Sequence, residues 1–256
     1  GITFQGTGKV YQQLEDDRQA LDSYQHALAI RQELRDCADE DIPRSYDRGA
    51  TLFYNMGLVA QELGEYQQAL DSYQQALAIY RKLDERDEQW GILNRIGVVY
   101  RKMGEYQQAI DTFQQAQNMN VFLGSNFGQG GAFNNIGLDY YDLGNYQQAL
   151  DFYQKALTFA QKIDDRAGEG VSLNNIGGVY HKRDEYQQAL DSYQQALAIV
   201  REVGDKKGEG VSLNNIGVVY DKLGKSQQAI ASYQQALAIF QEIGERAFEA
   251  VTLNNI

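Results

Sequence analysis

The chain holds one cysteine, one proline and two histidines among 256 residues. A single thiol, Cys37, rules out an internal disulfide and supplies no metal cluster, which fits a reducing, cytoplasmic setting. His26 and His181 have no partner at a spacing suited to a metal site, so no metal or other cofactor is expected. Long apolar runs are missing too. No stretch approaches the roughly 18 to 20 residues that a membrane span needs, and no signal segment is read ahead of the first repeat. Basic residues are in deficit, 23 Lys and Arg against 35 Asp and Glu, for a net charge of -12. Phosphate binding draws on Lys and Arg patches, so a nucleic-acid partner is disfavoured; the bland meaning of the charge is solubility.

What the chain has in abundance is repetition. A glycine preceded by an apolar residue recurs every 40 residues, at Gly57, Gly97, Gly137, Gly177 and Gly217, and Gly8 stands 49 before the first of these. A unit of this length is one supersecondary element that can bury its apolar face only against its neighbours. Apolar and small residues at spacings of 3 and 4 on both sides of a glycine break predict two helices per unit. In one unit these are Leu173, Ile176, Gly177 and Tyr180, then Tyr186, Ala189, Leu190, Tyr193, Ala196 and Leu197. The break falls at Gly64, Gly104, Gly144 and Gly224, with Asp184 and Glu15 in the same slot, where a helix C-cap takes a left-handed residue. Alanines 69, 109, 149, 189 and 229, with 76, 116, 156, 196 and 236, are small enough for helices to approach closely, and Tyr or Phe at 73, 113, 153, 193 and 233 fills the groove beside them. Of the 18 tyrosines, 14 sit at three repeat-locked positions, which makes them packing residues and not base-stacking platforms.

This pattern resembles the tetratricopeptide repeat family, and it does so over essentially the whole chain. In the first unit Gly8, Tyr11, Ala20, Tyr24 and Ala27 sit where that motif expects Gly, aromatic, Ala, aromatic and Ala. Two departures matter. The family's frequent Trp is Phe53, Leu93, Phe133, Leu173 or Leu213 here, and its helix-ending Pro is absent. Without that Pro the second helix is free to take the six residues beyond the usual 34, roughly 9 Å at 1.5 Å per residue. The long form is similar to arrays in kinesin light chains, Pins-type adaptors and cyanobacterial sensor proteins. The resemblance implies an all-α, right-handed superhelix, a solenoid whose first helices line the concave face. Its repeats fall at about 1–35, 50–84, 90–124, 130–164, 170–204 and 210–244, with a partial seventh at 246–256. The insertion 36–49 carries the one proline, Pro43, and the acids Asp36, Asp39, Glu40 and Asp41, and reads as a solvated loop or a prolonged helix end, with a lid over one groove entrance as a second reading. The seventh unit stops at Asn-Asn-Ile, so a fragment of a longer protein is expected, with an apolar flank exposed on its last helix.

Enzymatic motifs do not survive inspection. The stretch Gly6-Thr7-Gly8-Lys9 lacks the spacing of a phosphate loop, and Gly128-Gln129-Gly130-Gly131 follows no strand. No nucleophile, base and acid are set together, so the chain is not expected to be an enzyme.

The strongest functional signal is two columns of asparagine. One sits just before the apolar residue that precedes Gly, at Asn55, Asn135, Asn175, Asn215 and Asn255, with Arg95 as the exception. The other lies one residue earlier, at Asn94, Asn134, Asn174, Asn214 and Asn254, with Tyr54 as the exception, and is the first column in chain order, the column of Asn55 being the second. Asn costs a helix interior roughly 0.6 kcal/mol relative to Ala, so helix propensity does not place them there. An amide offers both a donor and an acceptor, the complement of a peptide unit. In related arrays of the family, the Asn before the Leu-Gly pair lines the concave face and grips a peptide backbone; carried over, that implies Asn55, Asn135, Asn175, Asn215 and Asn255. The alternative is that these amides bond neighbouring helices together, or were copied as the units duplicated.

Side-chain selection would fall to the positions one turn on: Gln61 and Glu62, Arg101 and Lys102, Tyr141 and Asp142, His181 and Lys182, Asp221 and Lys222. Arg95, Arg101, Lys102, His181 and Lys182 give this face a basic bias, so a flexible acidic peptide or a protein carboxylate is the expected ligand. Four or five amides at roughly 0.5 to 1.5 kcal/mol per hydrogen bond, less ordering costs, imply micromolar binding. The expected function is therefore a protein- or peptide-binding scaffold. Two other readings stand beside it: a regulatory or sensor arm of a larger protein, for example one with a protease or ATPase domain, and a solenoid that self-associates end to end.

Overall fold

The computed structural model describes residues 17–36, 43–123 and 128–256. Twelve α-helices and no strand occur among them, so the fold is the all-α class expected from the period. Residues 6–9, Tyr11, Glu15, Cys37, Asp39, Glu40 and Asp41 lie outside the described residues. The helices gather into two compact units, Gly1–Ser125 and Asn126–Ile256. Unit 1 contains α1 (Asp17–Asp36), α2 (Pro43–Glu62), α3 (Tyr66–Lys82), α4 (Arg86–Lys102) and α5 (Tyr106–Leu123). Unit 2 contains α6 (Gln129–Asp142), α7 (Tyr146–Lys162), α8 (Arg166–Lys182), α9 (Tyr186–Glu202), α10 (Lys206–Lys222), α11 (Ser226–Ile243) and α12 (Arg246–Asn255). The boundary falls where the pattern fails: α5 reads Gln117-Asn118-Met119-Asn120 where α3 has Leu77-Ala78-Ile79-Tyr80 and α9 has Leu197-Ala198-Ile199-Val200.

Local rules set the helix ends. Within hairpins the chain turns through Gly64, Gly104, Gly144, Asp184 and Gly224, all at positive φ, as the sequence predicts. Glu65 N–H then bonds Ala60 carbonyl at 2.8 Å and Gly64 N–H bonds Gln61 carbonyl at 3.1 Å, the doubled closure that satisfies the last carbonyls of a helix. A second set of left-handed residues lies between hairpins, at Asp84, Asp164, Gly204 and Gly244. These correct the expectation that the second helix absorbs the additional residues. α3, α7 and α9 end at Lys82, Lys162 and Glu202, and first helix and second helix are equally long, 17 residues in α8 and 17 in α9. Asp165 and Asp205 then cap the next helices, each accepting from a glycine N–H three residues on at 2.9 Å.

Asp164 holds φ 59° with a Cβ that crowds the following carbonyl. Asp164→Gly should therefore stabilise unit 2 by about 0.5–1 kcal/mol after the added freedom of the unfolded chain is deducted. Scanning calorimetry checks this, and an unchanged or lower midpoint would show that the left-handed strain is already relieved.

Packing follows from one glycine per hairpin. A Cβ on Gly57, Gly97, Gly137, Gly177 or Gly217 would lie 2.5–2.7 Å from the ring of Tyr73, Phe113, Tyr153, Tyr193 or Tyr233. The missing side chain is the slot that each ring occupies, and alanines 69, 109, 149, 189 and 229 close around it, all buried. Neighbouring hairpins share a core. In unit 1, Tyr73, Leu77 and Tyr80 of α3 meet Ile92, Leu93 and Ile96 of α4; in unit 2, Tyr153 and Leu157 of α7 meet Leu173, Ile176 and Val179 of α8. First helices of unit 2 also touch one another, α6 with α8, α8 with α10 and α10 with α12. The far end of unit 2 presents apolar surface: Ile230 is 42% exposed and Leu253 52%, where their interior counterparts Leu190 and Leu213 are 6% and 5%.

Candidate functional site

The asparagine columns lie on the first helices, and much of their hydrogen bonding is directed at the next hairpin. Asn134 Nδ2 donates to Ser172 Oγ at 3.1 Å, and Asn134 Oδ1 accepts from Asn175 Nδ2 at 3.2 Å. Asn174 Nδ2 donates to Ser212 Oγ at 2.8 Å, and Asn255 Nδ2 donates to Asn214 Oδ1 at 3.2 Å. Each bond crosses from one first helix to the next, so the amides form rungs between α6, α8, α10 and α12. Ser172 and Ser212 are fully buried partners that the sequence reading did not single out. Their signal was present as a hydroxyl at a fixed interval after the first asparagine column.

In unit 1 the arrangement differs. Asn94 Nδ2 turns back to the carbonyl of Trp90 at 2.9 Å within its own helix, and Asn55 Nδ2 is buried with no hydrogen-bond partner. Arg95 stands exposed on α4, and its charge acts on the hydroxyl of Tyr73. Burial pushes that hydroxyl well above the usual phenol range, with Arg95 opposing the shift and Tyr54 and Glu62 adding to it.

The positions one turn on divide into two kinds. Gln61, Arg101, Tyr141 and His181 are half-buried against the neighbouring aromatic residues. Gln61 Oε1 accepts from Tyr73 hydroxyl at 3.3 Å, and the Arg101 guanidinium lies 5.1 Å from the Phe113 ring centre. Tyr141 stands edge-on to Tyr146 at 5.7 Å, and His181 is 6.0 Å from Tyr186. His181 Nε2 is buried without a partner; burial first, then Lys182 and Lys222, lowers the imidazole pKa, while Asp184 opposes. Glu62, Lys102, Asp142, Lys182, Asp221 and Lys222 face solvent.

Helical spacing sets a common face along each first helix of unit 2. On α8 it reads Val171, Asn175, Gly178 and Lys182, and on α10 Val211, Asn215, Val218 and Lys222. Val171 is 50% exposed, so apolar surface lies one turn from the second-column amide. Asn135 holds the same place on α6. A separate cleft of about 490 Å³ lies against α6 and α7, floored by Phe133 and Phe159 and edged by Asp151, Lys155 and Lys162; no member of the asparagine columns lines it. Among the described residues no helix is long and apolar enough to cross a membrane.

Comparison with known proteins supports the same architecture. Three solved structures share it at low identity. The crystal structure of BtubC from P. vanneervenii aligns at TM-score 0.72 and 20% identity, over 88% of this chain and 91% of that one. A Rap protein complexed with Competence and Sporulation Factor aligns at TM-score 0.62 and 16% identity, over 98% and 72%. A signal-transduction ATPase with a tetratricopeptide repeat sensor, from Pyrococcus horikoshii, aligns at TM-score 0.77 and 15% identity, over 97% of this chain and 38% of that one. No curated protein matches the chain. Tetratricopeptide repeat models match residues 49–120, 129–202 and 169–242, and a further one matches 6–38. With glycine slots, paired helices and these matches running over most of its length, the chain belongs to the tetratricopeptide repeat family.

Proposed function

We propose that the chain is a non-catalytic scaffold that holds a protein or peptide segment against the exposed face of its first helices. The observation that carries this reading is the division of labour between the asparagine columns. Asn134 and Asn174 each donate to a buried serine of the next first helix, whereas Asn175, which gives one N–H to Asn134, and Asn215 stand half-exposed in line with Val171, Lys182 and Lys222. Peptide amides would pair with the second column, apolar side chains would rest on the valines, and carboxylates would meet Lys182 and Lys222. The Rap protein, crystallised with Competence and Sporulation Factor on a similar fold, supports the scaffold reading. A sensor arm within a larger protein is the second reading, favoured by the ATPase from Pyrococcus horikoshii, whose repeats this chain matches over little more than a third of that protein.

The test is an array of acidic and charge-neutral peptides probed with the wild-type chain and with Asn135→Ala, Asn175→Ala and Asn215→Ala combined. With circular dichroism showing equal helicity, binding to acidic peptides should fall at least about tenfold, the loss of one or two hydrogen bonds. Equal capture by the folded variant would overturn the proposal.

A further inference from the structure

The two asparagine columns fail at Tyr54 and Arg95, and these failures are related. In unit 2 a rung has fixed intervals: the first-column amide reaches a serine 38 residues on and a second-column amide 41 residues on, as Asn134 does with Ser172 and Asn175. Ser212 stands 38 after Asn174, and Asn255 stands 41 after Asn214. The same intervals counted from Tyr54 arrive at Ile92 and Arg95. Three departures from the repeat thus fall at the three intervals of one rung, on α2 and α4 inside unit 1.

Their chemistry is mutually suited. Tyr54 has no amide to offer a hydroxyl, and the place of the hydroxyl is taken by Ile92, which is 2% exposed within the core cluster against which Tyr54 packs. The Tyr54 ring lies 5.9 Å from that of Tyr73, tilted at 50°, and the charge of Arg95 acts on the Tyr73 hydroxyl. Among the described residues no carboxylate pairs with Arg95.

We propose that Tyr54, Ile92 and Arg95 form a single coupled rung, an aromatic, aliphatic and cationic replacement for Asn, Ser and Asn, which makes α2 the fit for α4 and for no other first helix. A helix bearing serine and asparagine would set a hydroxyl against the Tyr54 ring and leave its own amide unanswered. An asparagine-bearing helix set against α4 would point its amide at Ile92. Hairpins of nearly identical sequence can exchange neighbours during folding, and one rung of different chemistry fixes the order at that point. A single odd residue in a coiled-coil seam sets register in the same manner. This assignment is independent of any ligand.

Thermal unfolding of a mutant cycle tests it. Tyr54→Asn alone and Ile92→Ser alone should each lower the midpoint by about 4 °C or more, and the triple variant with Arg95→Asn should recover to within about 2 °C of wild type. A triple variant whose loss equals the sum of the single losses would overturn the proposal. The reciprocal graft guards against local failure: Asn174→Tyr, Ser212→Ile and Asn215→Arg together should be tolerated better than Ser212→Ile alone, which strands the Asn174 amide. A triple graft that melts no higher than Ser212→Ile would overturn it equally.

Discussion

Gly177→Ala should lower the thermal midpoint by roughly 4–8 °C, while Gly178→Ala, one residue along the same helix, should raise it. Both changes gain helix propensity, about 0.8–1.0 kcal/mol for removing a glycine from a helix interior. Their surroundings reverse the balance at one of them. A Cβ on Gly177 would sit 2.7 Å from Cδ1 and Cε1 of Tyr193, whose ring is 5% exposed and hemmed by Ala189 and Ala196. That ring cannot retreat without moving α9 from α8, so the cost falls at the upper end of the usual range for overpacking, about 3 kcal/mol, and leaves a net loss of about 2 kcal/mol. A Cβ on Gly178 would meet only the Tyr193 hydroxyl, at an ordinary 3.7 Å. Circular dichroism melts of the two variants decide the matter. Equal gains at both positions would mean that the ring does not fill the glycine slot.

The second large effect is expected from the first asparagine column. Asn134→Ala, Asn174→Ala and Asn214→Ala combined remove the bonds to Ser172, Asn175, Ser212 and Asn255. Four bonds at about 1 kcal/mol each, less about 0.6 kcal/mol regained per alanine in helix propensity, leave a net loss of about 2 kcal/mol. The midpoint should fall by about 4–8 °C. Changing Asn135, Asn175 and Asn215 instead removes fewer bonds between helices for the same propensity gain, so that variant should melt close to wild type. If both triple variants melt alike, the rungs do not hold the first helices together and the division between the columns fails.

The glycine slot was legible in the sequence, because a ring and a glycine recurring together leave little choice about what fills what. So was the turn at Gly64, Gly104, Gly144, Asp184 and Gly224. The turn between hairpins was not, since Asp84 and Asp164 are as ordinary before a helix as they are in a left-handed turn, and their sequences carry no steric demand for either. The asparagine columns were visible as columns, but their partners were not. Ser172 and Ser212 lie 38 residues from the amides they meet, and that distance becomes a contact only when α6, α8 and α10 stand side by side.

The sequence by itself determined the period, the helical hairpin, the small and aromatic residues of its core, and membership of the tetratricopeptide repeat family. These follow from spacing along one chain, where side chains 3 and 4 apart share a face whatever lies opposite. The tertiary structure decided which amides meet a buried serine and which meet a neighbouring amide. It also set the Tyr54 ring 5.9 Å from that of Tyr73, on the core cluster that holds Ile92. Such pairings depend on how far one hairpin is set against the next, a quantity fixed by the apolar core that adjoining hairpins share and absent from any single segment.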